Sequence, residues 1–304
     1  MRILNLGSLN YDKVYHVEHF ARAGETILAG EHAVFLGGKG LEVFPGGKGL
    51  NQSVALARAG AEVYHAGAVG SDGGPLREQL EAAGADTRYL LQLDTASGHA
   101  VIQLAAGQNC IIVCGGANRQ LTDPYIDGVL DAFGPGDLLL VQNETACVAH
   151  AMRAAKARGM QVAFNASPIT DELFSYPLEL ADYFLINEIE GMALAGTEEK
   201  DFGAILDRLA ARYKAAIILT VGAAGAYYRR GAETCHAGIF EVPVVDTTAA
   251  GDTFCGFFLA AVARGLAPAD ALKLASGASS LAVSREGAAN SIPTWEEVRK
   301  FLAT

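Results

Sequence analysis

Val244-Val245-Asp246-Thr247-Thr248-Ala249-Ala250-Gly251-Asp252-Thr253-Phe254-Cys255-Gly256 contains an apolar strand end, a turn built of small residues and the start of a helix near Asp252. A helix N-terminus gathers free N–H groups and a partial positive charge, so such a turn is suited to cradle an anion. A carboxylate placed there cannot itself bind phosphate, but it can accept a proton from a hydroxyl attacking that phosphate. Taken alone, the same residues read equally well as a helix capped by Asp252 or Thr253.

On either side of this stretch, short apolar runs alternate with helix-like segments. Residues 3–9, 62–68, 137–142, 161–165, 183–187, 216–221 and 241–245 are strand-length and rich in Val, Ile, Leu or aromatics. Helices are predicted at 51–59, 75–83, 149–158, 202–213, 253–263 and 269–283. Pro75 and Pro268 fall near first turns, and Gly60, Gly84, Gly159 and Gly265 just after last ones. Alternation of this kind builds crossover units and a mostly parallel sheet covered on both faces. The fold class is α/β.

Two regions break the rhythm. Residues 99–105 and 110–114 are strand-like around Ala106-Gly107-Gln108-Asn109, a hairpin signal, and 14–35 reads as extended segments with turns at Ala23-Gly24 and Ala29-Gly30. Together they predict a small β lid, about 13–45 and 96–115, projecting from one domain that spans 1–304. No Pro/Ser-rich linker divides the chain.

The 304 residues are 51% hydrophobic and 19% charged, ample for one large core. With 34 acidic against 23 basic residues, the net charge of −11 disfavours phosphate backbones and anionic lipid, so neither nucleic acid nor membrane is expected as a partner. Met1-Arg2-Ile3-Leu4-Asn5-Leu6-Gly7 turns polar too soon for a secretory segment. The longest stretch without Asp, Glu, Lys or Arg, 95–118, is interrupted by glycine and amides, whereas a spanning helix needs about 20 mostly apolar residues. Cys110, Cys114, Cys147, Cys235 and Cys255 are odd in number and never spaced C-x-x-C, and read as ordinary buried thiols of a reducing compartment. A cytoplasmic protein is expected.

Val34-Phe35-Leu36-Gly37-Gly38-Lys39-Gly40-Leu41-Glu42 is followed at once by Val43-Phe44-Pro45-Gly46-Gly47-Lys48-Gly49-Leu50-Asn51, with seven of nine positions identical. A period this short, occurring twice, is a tandem duplication and not a solenoid. Only the second copy runs directly into the helix at 51–59, so it is expected to hold the working geometry. The surplus, framed as residues 36–44 or an equivalent nine, is expected to loop out beside the ligand site.

Neither lysine of the repeat is followed by Ser or Thr, so the Walker pattern fails, and no G-x-G-x-x-G occurs. Glycines at 46, 47 and 49 let a ligand approach the backbone, while Lys48 and Asn51 offer donors to hydroxyls. Asn10 and Asp12 follow the first strand, where open α/β sheets bind ligands. Asn187-Glu188-Ile189-Glu190 and Thr220-Val221-Gly222-Ala223-Ala224-Gly225 follow two later strands, the first able to bring carboxylates near a metal and the second to accommodate a nucleotide. Each alone is an ordinary strand-end turn; their recurrence at successive strand ends points to a site.

In order and wording these motifs resemble the ribokinase-like, or PfkB-type, carbohydrate kinases. The resemblance runs from Gly7-Ser8-Leu9-Asn10-Tyr11-Asp12 to Arg285-Glu286-Gly287 and includes Gly46-Gly47-Lys48-Gly49-Leu50-Asn51-Gln52 and Asp246-Thr247-Thr248-Ala249-Ala250-Gly251-Asp252. It implies a three-layer α/β/α sandwich with a β lid, and ATP-dependent phosphorylation of a sugar's primary hydroxyl, D-ribose first, with a fructose, nucleoside or keto-deoxy sugar acid kinase as the alternative. A non-catalytic sugar-binding protein on the same fold is a further alternative.

The resemblance also implies roles. Asp252 is the catalytic base, with the amides of Ala250 and Gly251 as anion hole. Asn10, Asp12, Gly47, Lys48, Asn51 and Glu144, with Asp252, hold the sugar. Asn187, Thr220, Val221, Gly222, Ala223, Ala224, Gly225, Gly251 and Ser276 belong to the ATP site, and Glu190 is linked to Mg²⁺. Asp246, Thr248, Ala282, Arg285, Gly287 and Ser291 match a monovalent-cation loop for K⁺, mostly through backbone oxygens. A homodimer through the lid is implied as well, and lid strands have edges that need covering.

Overall fold

The computed structural model describes residues 1–30, 34–35, 38–39, 41–106 and 108–303. Along the chain come β1 (Ile3–Leu6), β2 (Asn10–His16), β3 (Val34–Phe35), β4 (Gly38–Lys39), β5 (Leu41–Gly46), α1 (Lys48–Arg58), β6 (Val63–Val69), α2 (Gly74–Ala83), β7 (Asp86–Gln92), β8 (Gly98–Ala105) and β9 (Gln108–Cys114). Then follow α3 (Asp123–Leu130), β10 (Leu138–Gln142), α4 (Val148–Ala157), β11 (Gln161–Asn165), β12 (Tyr183–Asn187), α5 (Glu188–Ala195), α6 (Phe202–Arg212) and β13 (Ala216–Thr220). The last elements are β14 (Ala226–Arg230), β15 (Glu233–Ala237), α7 (Ala250–Ala263), α8 (Pro268–Val283) and α9 (Trp295–Leu302).

A nine-stranded sheet takes the order β15-β14-β13-β12-β11-β10-β1-β6-β7, parallel from β7 to β13 and antiparallel at β14 and β15. Its centre is buried on both faces, which is why β10 reads Leu138-Leu139-Leu140-Val141 without alternation. One face packs α1, α2, α7, α8 and α9 around Leu50, Phe257 and Leu272; the other packs α3 to α6 around Met152, Phe164 and Leu209. Helix ends follow local chemistry. The side chain of Asp201 accepts from Ala204 N at 3.1 Å to cap α6, and Thr294 with Glu297 forms a capping box on α9.

The edge strands β7 and β15, and β14 next to one of them, escaped the sequence reading because polar residues interrupt or end them, as in Asp86-Thr87-Arg88, Glu233-Thr234 and Arg229-Arg230. Residues 241–245, expected as a strand, are irregular. Val244 and Val245 are 68% and 60% exposed, and the Val245 amide donates to the Val283 carbonyl at the end of α8, so no sheet edge receives them.

The lid is a separate four-stranded sheet of order β5-β2-β8-β9. Within the expected extended region 14–35, strand occurs only at the end of β2 and in β3, and 17–30 is irregular; residues 31–33 lie outside the described residues. Gly30 N–H donates to His16 O at 2.8 Å, tying that segment back to β2. The duplication is taken up by its first copy, where β3 pairs with β4 as a two-stranded ribbon apart from the lid sheet. Leu41 to Phe44 do not loop out as framed; they pair with β2 in β5, because the lid needs that strand to reach α1. Residues 36, 37 and 40 of the expected excursion, and Gly107 of the predicted hairpin turn, lie outside the described residues. Cys110 and Cys114 are exposed on β9, contrary to the buried thiols expected, because β9 is the outer strand of the lid.

The second copy meets the main sheet by close backbone contact. A Cβ on Gly49 would lie 2.3 Å from Ser8 N and 2.5 Å from Gly7 Cα, so only paired glycines let α1 start against the end of β1.

Candidate active site

From β1 the chain moves to β6 and β7 on one side, and later to β10 on the other. The sheet order therefore reverses between β1 and β10, and ligands of open α/β sheets bind outside the carboxyl ends of strands at such a point. Ser8 follows β1, Glu144 follows β10, and the Ser8 hydroxyl donates to the Glu144 carboxylate. Glu144 also accepts from the Lys48 amide at 3.3 Å. Asn10 begins β2 and is 3% exposed, its Oδ1 accepting from Asn118 Nδ2 at 2.9 Å. Asn118 also pairs with both backbone groups of Leu9, at 3.0 and 3.1 Å, and so fixes the turn that presents Asn10.

Asp12 projects from β2 over the end of β5. A Cβ on Gly46 would meet Asp12 Oδ2 at 2.1 Å, so the carboxylate occupies the space a side chain would take. Burial, then the charges of Glu144 and Asp252, push the Asp12 pKa up to about 7 against the opposing pull of Lys48. Burial likewise raises Glu144, although Lys48 and the Ser8 hydroxyl oppose it. For Lys48 burial works against the ammonium, yet Asp252, Glu144 and Glu190 together raise its pKa above the ordinary lysine value. One lysine thus sits as counter-charge among several carboxylates.

Asp252 is 9% exposed and lies in the first turn of α7. It does not cap the helix. The cap is Ala249, with φ 59° and ψ 8°, and no side chain satisfies the first-turn amides. A non-glycine residue in the left-handed region costs about 1–2 kcal/mol, a strain held here by the surrounding turn. Ser279 Oγ on α8 donates to Ala250 O at 3.0 Å and braces that turn. The Ala250 amide leans on Thr247 O at 3.3 Å, leaving the amide of Gly251 as the more available of the two expected anion-hole donors. Asp252 itself accepts from Asn51 Nδ2 at 3.0 Å on Oδ2 and from Gln52 Nε2 at 2.8 Å on Oδ1.

An open cleft of about 270 Å³ runs away from Asp252, lined among others by Lys48, Asn187, Glu190, Thr220 and Gly251. Asn187 caps α5, and its amides donate to both oxygens of Glu190 at 2.9 and 3.0 Å in a capping box. The N-x-x-E spacing therefore has a local structural reason, with Glu190 still facing the cleft. Gly222, Ala223 and Ala224 form an exposed turn beyond β13, closed by Val221 N–H to Gly225 O at 2.9 Å, whereas the Val221 side chain is buried in the core. Ser276, buried in α8, is not among the residues lining this cleft.

Asp246 joins the two segments of the expected cation loop, accepting from Thr248 N at 2.8 Å and Gly287 N at 3.0 Å beside the Ala249 turn. Ala282 O accepts from Arg285 N at 3.1 Å, Ser291 Oγ donates to Ala288 O at 2.9 Å, and the Arg285 guanidinium turns to Glu297 at 2.8 Å. The segments that would supply backbone oxygens are thus held together. Among the described residues no three His, Cys, Asp or Glu side chains converge as a metal cage. Glu190 and Asp252 both line the cleft and offer the carboxylate oxygens that a hard divalent ion takes.

Gln52, Asn118 and Ser279 were not singled out from the sequence. Their partners lie far along the chain, 200 residues from Gln52 to Asp252 and 109 from Asn118 to Leu9, and no local pattern marks them.

A family model described as pfkB family carbohydrate kinase matches residues 3–295. A ribokinase of Haemophilus influenzae is 33% identical over 309 residues, covering 98% of this chain and 97% of the relative. The solved ribokinase from Cryptococcus neoformans in complex with ADP superposes with a TM-score of 0.85 at 33% identity, covering 98% of both chains. Arabidopsis thaliana ribokinase complexed with ribose and ATP gives 0.85 at 29% identity, over 99% of this chain and 98% of that one. With the family match running almost end to end over the sheet, the lid and the turn into α7 as described, this chain belongs to the pfkB family of carbohydrate kinases.

Proposed function

We propose that this protein transfers the γ-phosphoryl group of ATP to the primary hydroxyl of D-ribose, yielding ribose 5-phosphate. The observation that carries the reading is Asp252 at an uncapped helix N-terminus, shared between the cleft and the cluster of Asn10, Asp12, Gly47, Lys48, Asn51 and Glu144. Ribose and ATP are bound by the Arabidopsis relative, and that supports the choice of sugar.

Phosphoryl transfer depends on positioning and charge neutralisation. The sugar hydroxyl lies against Asp252, which takes its proton as the oxygen attacks phosphorus. The Gly251 amide, with that of Ala250, faces the charge on the transferring group. Glu190, which lines the cleft, would help to hold Mg²⁺, and the bound ion would supply charge neutralisation at the phosphates. The loop of Asp246, Thr248, Ala282, Arg285, Gly287 and Ser291 would hold K⁺, mostly through backbone oxygens, and the bound ion would support the turn before α7 electrostatically. Asn187 and residues 220–225 take the nucleotide.

The lid sheet closes over the sugar and limits hydrolysis by water. Ile111, Ile112 and Val113 on its outer strand are 50%, 63% and 52% exposed, and a second copy seated on that edge covers them in a homodimer. The chain is read as one domain working in the cytoplasm, in keeping with five free cysteines.

The test is ADP release from MgATP with D-ribose, with and without K⁺, and then with fructose, nucleosides and keto-deoxy sugar acids. Ribose-selective, K⁺-stimulated turnover is expected, and Asp252→Asn lowers kcat by about 10²–10⁴-fold with a smaller loss of sugar affinity. Selectivity for another sugar would replace ribose. Near-normal turnover in Asp252→Asn would remove the base assignment.

A further inference from the structure

Helix α1 is buried along Leu50, Val54 and Leu56, yet a line of polar side chains runs beneath it, half-buried at Asn165 beside the cleft and fully buried from Gln142 to His65. Asn165 on β11, Gln142 on β10, Asn5 on β1 and His65 on β6 stand on four adjacent strands, and Gln52 and Ser53 of α1 point into them. Polar groups in a dry core are costly unless their partners are complete, so the order of donors and acceptors matters.

That order has one direction. Gln52 Nε2 gives its two hydrogens to Asp252 Oδ1 at 2.8 Å and Asn165 Oδ1 at 3.0 Å. Gln52 Oε1 accepts from Gln142 Nε2 at 2.7 Å, and Gln142 gives its other hydrogen to Asn5 Oδ1 at 2.9 Å. Asn5 Nδ2 in turn donates to Gly49 O and to Ser53 Oγ, both at 2.8 Å, which leaves the Ser53 hydroxyl hydrogen for His65 Nδ1 at 2.8 Å. Burial lowers the His65 pKa to about 4 and keeps the imidazole neutral, able to accept. Gln142 Oε1 is buried without a hydrogen-bond partner, so this amide serves through its two donors. Turning Gln52 over would set its oxygen against the Asp252 carboxylate and its nitrogen against that of Gln142.

We propose that Gln52 is a positioning residue that pins Asp252 Oδ1, and that Gln142 acts through it by fixing which end of the Gln52 amide faces the carboxylate. The proposal rests on Asp252 being the base. When Asn51 turns its amide to the sugar, Oδ2 is released to take the proton while Gln52 holds the carboxylate in line.

The experiment compares Gln52→Met, Gln142→Met, Gln142→Glu and the Gln52→Met/Gln142→Met pair with the parent. It measures kcat and KM for ribose and MgATP by ADP release, ribose binding by calorimetry, and melting temperature. Gln52→Met is expected to lower kcat about 10–100-fold with ribose KM and Kd within about threefold, a split that loss of stability alone does not produce. Gln142→Met lowers kcat about 3–10-fold, and the pair loses no more than Gln52→Met alone, because the two act in series. Gln142→Glu keeps the volume and, assayed at a pH where its buried carboxyl is ionised, places an acceptor opposite Gln52 Oε1; the Gln52 amide then turns over and kcat falls as in Gln52→Met. Gln52→Met turnover within twofold of the parent, multiplying losses in the pair, or parental turnover in Gln142→Glu would each overturn the proposal. Loss of turnover in Asp252→Asn beside unaffected Gln52 variants overturns this inference alone, whereas normal Asp252→Asn turnover brings down the underlying reading.

Discussion

Replacing Gly46 by Ala tests whether the second copy of the repeat, through Asp12, forms the sugar site. Gly46 is absent from the residues of positive φ, so alanine takes its backbone conformation without strain. The obstacle is space. An added Cβ falls 2.1 Å from Asp12 Oδ2 and 2.6 Å from Cγ, while ordinary contact begins near 3.4 Å, so the carboxylate must withdraw by about 1.3 Å. A hydrogen bond to a charged group contributes about 1.5–3 kcal/mol, and a displacement of that size breaks it. Ribose affinity should therefore fall about 10–100-fold, at 1.4 kcal/mol per factor of ten. Nucleotide affinity should stay within about twofold, since Gly46 is not part of the cleft lining. Calorimetric titration of ribose and of ADP into the parent and Gly46→Ala proteins gives both numbers. Repeating it in an Asp12→Ala background isolates the contact, where Gly46→Ala should add nothing. Parental ribose affinity in Gly46→Ala, or an undiminished loss without the Asp12 carboxylate, would refute the reasoning.

Asp12 also makes stability depend on pH. Its folded pKa of about 7 lies above the ordinary 3.8, so between those values the unfolded chain releases a proton that the fold retains. Stability then falls as pH rises through this window, by up to about 1.4 kcal/mol per unit, and levels off above it. Denaturant melts at pH 5 and pH 7 should show this decline shrinking in Asp12→Asn; parallel curves for the two proteins would refute it. Deleting residues 34–42 should leave kcat and ribose KM within about threefold, because Gly46, Gly47 and Lys48 belong to the second copy, while the first supplies only the β3–β4 ribbon and the Leu41–Glu42 end of β5. A tenfold loss in a folded deletion protein would make the ribbon part of the sugar site.

Much of the architecture is legible in local chemistry. Leu138-Leu139-Leu140-Val141 reads as a strand buried on both faces, and Pro75 with Gly84 brackets one helix between its first turn and a left-handed cap. The turn before α7 is legible in part for the same reason, since small residues and a helix start fall within the thirteen residues from Val244 to Gly256. These features depend on backbone preferences and side-chain periods a few residues long, and sequence states such preferences directly. Even so, Val244 and Val245 carry a strand-like pattern into an exposed segment, because apolar character is necessary for a strand but a neighbour must also offer an edge.

What sequence alone settled was the α/β alternation and the lid hairpin, with Asn187 at the end of its strand and Asp252 at the start of its helix. Tertiary structure decided which of two nearly identical glycine loops reaches Asp12, that Ala249 and not Asp252 caps α7, and that Gln52 and Asn51 share the Asp252 carboxylate. Each of these is a contact between segments brought together only by the order of strands in the sheet. Register and strand order arise from packing over the whole chain, and no window of neighbouring residues contains them.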